Sequence, residues 1–186
     1  EIMYSPISAD DDDEYVELFN RGSNAVDISH WRFTDGISFT VPVGIAIPAN
    51  GTIVIARDAA RLIARYPQLN TANTLGNYNG SLSGRGERLV LSRPDNINLP
   101  NQDFVTVDEV TYNDGARWGE WSDGGGSSLE LIDPHSDNRF AMNWAGSDET
   151  GKAPWTEVEY TDTVDQGSST PNEMRLMFLQ GGECLI

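Results

Sequence analysis

Short runs in which apolar and polar residues alternate, rich in Val, Ile, Tyr, Phe and Thr and broken by Gly, Pro, Asn and Asp, fill the first two thirds of the chain. Alternation of this kind places every second side chain on one face of an extended segment, so it predicts half-buried strands joined by tight turns. Strands are expected at residues 1–4, 14–19, 25–28, 31–34, 38–41, 52–56, 88–92, 104–112 and 127–132. They follow one another too closely for helical crossovers between parallel strands, and the pattern reads as an all-β sandwich or barrel. One short helix interrupts it. Ala59, Leu62, Ile63 and Tyr66 recur at helical spacing behind an Asp58 N-cap, and Pro67 stops the run. This helix is expected to plug an open end of the sandwich. Residues 70–86 are polar and Gly-rich and read as a long surface loop.

Beyond Asp133 the alternation fades, which suggests a boundary between a sandwich at 1–132 and a second region at 133–186. That second region reads as a linker and a C-terminal β-hairpin extension, because Met174 to Leu179 and Cys184 to Ile186 flank Gly181-Gly182 as hairpin strands would. Such a hairpin fits the start of a further, truncated domain, with more protein following. Its exposed strands could also pair between chains, giving a dimer.

Composition narrows the function classes. The 186 residues include five Trp, six Tyr and six Phe, enough aromatic and aliphatic mass for a packed core. Against 12 Lys and Arg stand 29 Asp and Glu, a formal charge of -17. Phosphate backbones and anionic lipid surfaces are repelled by such a chain, so nucleic acid is not an expected partner. No apolar run approaches the length of a membrane span, so membrane insertion is not expected either. Cys184 is the single cysteine, which excludes a disulfide within the chain and a zinc site built on cysteines. His30 and His135 are the only histidines, too few for a histidine zinc cluster, and neither H-E-x-x-H nor G-x-S-x-G occurs. No cofactor is implied, with calcium as the one candidate.

Candidate chemistry lies in three places. Asp10, Asp11, Asp12, Asp13 and Glu14 put five carboxylates before a strand, and calcium prefers several oxygens on one short loop, although the EF-hand spacing and its Gly are missing. A solvated charge run is the competing explanation. Glu17 stands between Tyr15 and Phe19 on one strand face, where burial among aromatics would raise its pKa and suit it to acid–base work with a second carboxylate. A strand carboxylate paired to a neighbouring Arg or to turn N–H groups is the favoured explanation. Trp118, Trp121 and Asp123 lie in a Gly- and Ser-containing segment that could present aromatic faces to a sugar or a protein, against the alternative of core packing. Trp31 and the alternate pair Val16 and Leu18 are expected in the core.

Taken in order, the motifs carry a resemblance. They are Glu1-Ile2-Met3-Tyr4, then Asp13-Glu14-Tyr15-Val16-Glu17-Leu18-Phe19-Asn20, then Val26-Asp27-Ile28-Ser29-His30-Trp31, and Ile47-Pro48-Ala49-Asn50-Gly51 before Thr52-Ile53-Val54-Ile55-Ala56. Leu82-Ser83-Gly84-Arg85-Gly86-Glu87-Arg88-Leu89-Val90-Leu91 and Val107-Asp108-Glu109-Val110-Thr111-Tyr112 complete the set. Together they resemble the lamin-tail domain over about residues 1–132. One departure stands out: His30 occupies a position where that family usually has Gly.

The resemblance implies an immunoglobulin-like β-sandwich without a catalytic apparatus, of the kind found in large exported multi-domain bacterial proteins. The expected function is a non-catalytic accessory or adhesion module of a larger exported or surface protein, binding protein or carbohydrate at the cell surface. Two alternatives remain beside it: a calcium-stabilised structural spacer, and a glycosidase-type enzyme using Glu17 and a second carboxylate.

Overall fold

The run Thr-Ile-Val-Ile-Ala at 52–56 is apolar at both parities, and the fold buries both of its faces. In the computed structural model, which describes residues 1–96 and 103–149, Ile53 and Ile55 enter the main core while Val54 and Ala56 join a second cluster beneath the helix. The expected C-terminal hairpin lies outside the described residues.

The strands in chain order are β1 (Ile2–Met3), β2 (Tyr15–Phe19), β3 (Val26–Asp27), β4 (Arg32–Asp35), β5 (Phe39–Thr40), β6 (Ala46–Ile47), β7 (Thr52–Ala56), β8 (Thr74–Leu75), β9 (Arg88–Pro94), β10 (Phe104–Thr111), β11 (Leu129–Leu131) and β12 (Trp144–Gly146). Six of them form one sheet in the order β12-β11-β1-β2-β7-β8, four form a second in the order β10-β9-β4-β5, and β3 pairs with β6. The core lies between the two large sheets. Ile2, Val16, Ile53, Ile55 and Leu129 supply one wall, and Phe33, Leu89, Leu91 and Val110 supply the other. Sheet-on-sheet packing of alternating inward side chains is what the sequence pattern predicted for an all-β, immunoglobulin-like sandwich. Val16 is buried as expected, and Leu18 and Trp31 pack against the core from its margin.

Three expectations need correction. The helix α1 (Ala59–Arg65) forms where its spacing placed it, with the Asp58 side chain accepting a hydrogen bond from the Arg61 N–H. It does not plug an end of the sandwich. Leu62 instead packs on Val54 and Ala56, so the helix covers the outer face of the six-stranded sheet. The segment read as a long loop holds β8, which runs parallel to β7, with Val54 opposite Thr74 and Ile55 opposite Leu75. A small βαβ crossover therefore exists after all, through α1. Two residues are too few to show a period, and only contact with β7 reveals the strand. The boundary expected near Asp133 falls inside a hydrogen-bonded sheet, because β12 pairs antiparallel with β11 and buries Trp144 in the main core. The intervening polar turn at 132–143 hides that return from a reading of alternation.

Two polar residues fix the ends of the turns. Asn20 is buried just after β2, and its amide nitrogen lies 2.8 Å from the Asn24 carbonyl, 3.0 Å from that of Ile47 and 2.9 Å from that of Pro48. Its side-chain oxygen accepts from the Gly22 N–H at 2.9 Å. One side chain thereby holds two turns together, the β2–β3 and β6–β7 connections. At the start of β4, His30 adopts φ +64°, a left-handed conformation in which a Cβ crowds the following carbonyl. This is the position at which glycine was the expected residue, and the backbone gives the reason.

Asn20→Ala should lower the unfolding free energy by about 1–3 kcal/mol, because it strands buried carbonyls and one N–H, and urea denaturation would register the loss. His30→Gly should do the opposite, raising stability by up to about 1 kcal/mol in the same measurement, since it relieves a left-handed non-glycine residue.

Candidate functional site

The connection from β1 to β2 carries the acidic run, and its geometry follows from opposite charges meeting at close range. Asp10 makes an N-cap for the one-turn helix at Asp11–Asp13, accepting from the Asp12 N–H. That turn aims the carboxylates at arginines on and before α1. Arg57 lies 3.3 Å from Asp11, 3.4 Å from Asp12 and 3.6 Å from Glu14. Arg61 meets Asp10 and Asp13 at 2.7 Å each, and Arg65 meets Asp13 at 3.3 Å. The hydrogen bond from Arg61 is the main reason the Asp13 carboxyl is held below the usual aspartate range, with Ser8 assisting against the opposing effect of burial. The five candidate calcium ligands are thus engaged by guanidiniums, and among the described residues no group of three or more acidic, His or Cys side chains is arranged to hold a metal ion.

Glu14 behaves differently from its four neighbours. It is only 1% exposed, and its carboxylate accepts from Tyr78 Oη, Ser81 Oγ and the Leu82 N–H, each at 2.9 Å. Burial raises its pKa, those three hydrogen bonds pull the other way, and the Asp11 charge adds to the rise. Ser81 Oγ also lies 3.0 Å from Asp11, so one hydroxyl proton serves two carboxylates.

Beside this cluster opens a cleft of about 610 Å³ at one end of the sandwich. Its lining includes the polar residues Asp11, Glu14 and Ser81 and the apolar residues Pro6, Ile7 and Leu82. Tyr4 belongs to its wall as well, its ring tilted 32° against that of Tyr112 with centroids 4.9 Å apart. Its hydroxyl is buried and, among the described residues, meets no hydrogen-bond partner. Burial first, then the charges of Asp123 and Asp114, push the Tyr4 pKa up to about 12. Gly124 closes the far side, donating its N–H to the Ser5 carbonyl at 3.0 Å.

Gly124 comes from the segment that carries the candidate aromatics, and the structure separates those residues. Trp118 is half-buried, packs against the main core and sits 6.0 Å from the Trp144 ring. Trp121 is 43% exposed. Its ring rests on Gly125, where a Cβ would come within 2.9 Å of Cε3, while Gly119 packs so closely on Gly146 that a Cβ would meet its nitrogen at 2.2 Å. Backbone contacts on both sides therefore hold the Trp121 turn in place. Asp123 is exposed two residues on, close enough to act on the Tyr4 hydroxyl. Gly124 is the residue of this segment that lines the cleft; Trp121 and Asp123 are exposed on the turn before it, whereas Trp118 is a packing residue.

Glu17 is elsewhere. It lies in β2 opposite Val54, on the outer face of the six-stranded sheet, and the register sets Glu1 beside it, with Glu130 next across β11. Burial is the leading cause of its raised pKa, followed by the Glu1 charge, and a hydrogen bond to Thr52 opposes both. It does not line the cleft.

The profile of the family described as Lamin Tail Domain matches residues 1–114, more than half of the chain. The chain belongs to the lamin tail domain family. No curated protein and no solved structure gives a match. The lamin tail match spans β1 to β10 and contains Tyr4, Glu14, Asn20 and Ser81, and it ends before Trp118, Trp121 and Asp123. The cleft therefore joins lamin tail residues on one side to a segment beyond the matched span on the other. Tyr4 and Ser81 were not singled out by sequence: Tyr4 reads as an ordinary strand residue, and Ser81 stands 67 positions from the Glu14 it contacts.

The raised glutamates of this lamin tail domain set a pH response. A carboxyl whose folded-state pKa lies above its unfolded value keeps its proton in the folded chain at pH values where the unfolded chain has lost it. Stability should therefore increase as pH falls from neutral toward the ordinary glutamate range, as Glu14 and Glu17 protonate. The contribution of Asp13 has the opposite sign, remaining until pH drops through its lowered value. Urea midpoints between pH 8 and pH 4 should rise on acidification before the acid collapse, and Glu17→Gln should flatten the rise; a steady decline from neutral pH would contradict this.

Proposed function

We propose that the protein is a non-catalytic accessory or adhesion module of a larger exported or surface protein, and that it binds a protein or glycan at the sandwich end bearing Trp121. The observation that carries this reading is a large aromatic side chain left 43% exposed on a turn whose backbone is fastened at both sides, at Gly119 against Gly146 and at Gly124 on Ser5. A held, half-exposed Trp offers contact area with little ordering cost on binding, which is how aromatic anchors gain affinity. Membership of an immunoglobulin-like family supports a module rather than a specific ligand.

The competing readings gain no support from the geometry. A calcium-stabilised spacer needs free oxygens, and the Asp10 to Glu14 carboxylates are engaged by Arg57, Arg61, Arg65 and the partners of Glu14. Glycosidase chemistry needs two carboxyls facing one another across a cleft with freedom to exchange protons. Glu17 stands on the sheet face away from the cleft, and the carboxylates that do line it are hydrogen-bonded.

A glycan array and a pull-down from envelope extract, each with the natural chain and with Trp121→Ala, test the proposal. The expected result is a partner in one of the two assays whose binding falls at least about tenfold in the variant, the usual scale for a buried aromatic anchor. Blank assays, or a partner indifferent to Trp121→Ala, would remove the basis for it.

A further inference from the structure

We propose that Asn79, in the step Asn79-Gly80, is a site of spontaneous deamidation whose isoaspartyl product loosens the segment that holds Glu14. The modification is independent of what the module binds.

Asparagine before glycine is the step most open to this chemistry, because a following residue without Cβ leaves its backbone nitrogen unobstructed. That nitrogen forms a bond to the asparagine Cγ, the bond from Cγ to Nδ2 breaks, and the backbone N–H proton leaves with Nδ2 as ammonia. Water then opens the cyclic imide. Hydrolysis at the side-chain carbonyl gives aspartate; hydrolysis at the main-chain carbonyl gives isoaspartate, in which the chain runs through Cβ and Cγ. Solvent water is the only co-reactant, and nothing is oxidised or reduced. Ring closure requires the nitrogen to turn onto Cγ, so the local structure sets the rate.

The chain has two Asn-Gly steps, and the fold treats them differently. Gly51 is half-buried, and a Cβ on it would lie 3.1 Å from Pro48. Its N–H, the attacking group, donates to the Pro48 carbonyl at 3.0 Å, and its carbonyl accepts from the Asn20 N–H at 2.9 Å. The Asn50 N–H donates to the Gly22 carbonyl at 3.3 Å, and the Asn20 side chain grips Pro48 and Gly22 from within. Ring closure at Asn50 therefore means opening the turn that Asn20 clamps.

Asn79 and Gly80 are both exposed. Gly80 has φ +99°, and the nearest atom to a Cβ built there is 3.8 Å away. Among the described residues, neither the Gly80 N–H nor the Asn79 side-chain amide has a hydrogen-bond partner. The backbone of Asn79 exchanges two bonds of 2.9 Å with exposed Ser38, in an isolated bridge outside the strands. Only the bond from the Ser38 N–H to the Asn79 carbonyl resists rotation of the Asn79-Gly80 peptide.

The position gives the reaction a structural consequence. Tyr78, Ser81 and Leu82 flank the step and donate three hydrogen bonds of 2.9 Å to the buried Glu14 carboxylate. Isoaspartate adds one carbon to the main chain between Tyr78 and Ser81, so the three donors no longer converge on one carboxylate. A buried acid that loses donors is costly to keep, and the product also adds a negative charge to a chain already at -17.

Incubation of the full chain at mildly alkaline pH, with and without urea, followed by digestion and mass spectrometry that separates isoaspartate from aspartate, provides the test. In the folded chain Asn79 should lose its amide at least about fivefold faster than Asn50, the scale of one hydrogen bond that must open first. In urea the two rates should converge. The isoaspartyl fraction, isolated by anion exchange, should melt below the untreated chain, and Asn79→Asp, which brings the charge without the added carbon, should melt between them. Asn79→Gln should remove the conversion at residue 79. Equal rates at the two steps in the folded chain, an Asn79 amide lost only in urea, or an isoaspartyl fraction that melts with the untreated chain would each overturn the inference. An Asn79→Asp chain that melts as low as the isoaspartyl fraction would overturn the role given to the added carbon.

Discussion

The Glu14 carboxylate lies inside the protein at the point where β2 begins, and it is held by donors from a segment more than 60 residues later in the chain. A buried acid without such partners would be strongly destabilising, so the 78–82 segment must be folded against β2 for the strand to start where it does. Placing that segment also sets Ser81 and Leu82 on one side of the cleft. The β1–β2 connection is then fixed from both ends, by Glu14 inside and by Arg57, Arg61 and Arg65 outside.

Asn20 repeats this logic at the other end of the same strand. An amide with two donors and an acceptor gathers backbone groups from 22, 24, 47 and 48, positions that no sheet ladder pairs with it. The seven residues from Glu14 to Asn20 thus form a strand with a buried polar clamp at each terminus and Val16 facing the core between them. Polar residues with fixed partners specify which turns close on the strand, a choice that apolar packing alone leaves loose.

The acidic run shows how one composition can serve two purposes. Asp13 ties α1 to the sheet through Arg61, and Asp11 and Asp12 surround Arg57, so part of the run is structural. Asp11 and Glu14 also line the cleft. The same run therefore fastens the helix to the sheet and lines the cleft.

Much of the fold was legible in the sequence because alternation reports on half-buried strands, and the core in this chain lies between two sheets. Strand β7 was anticipated to the residue, and α1 was anticipated through its Asp58 cap, its apolar spacing and Pro67. The lamin-tail resemblance was legible in ordered motifs, since the residues that make them are the ones clamping strand ends. The two-residue strand β8 and the returning strand β12 were not legible, because each gains its identity from a neighbour and too few residues carry a period. Nor could sequence assign the carboxylates. Asp10 to Glu14 are chemically similar along the chain, and only tertiary contact with three arginines, Tyr78, Ser81 and Leu82 makes Glu14 a buried clamp and Asp11 part of a cleft wall. The sequence by itself determined the layers and the excess of negative charge; the tertiary structure decided where that charge stays unbalanced, because pairing depends on distance in space.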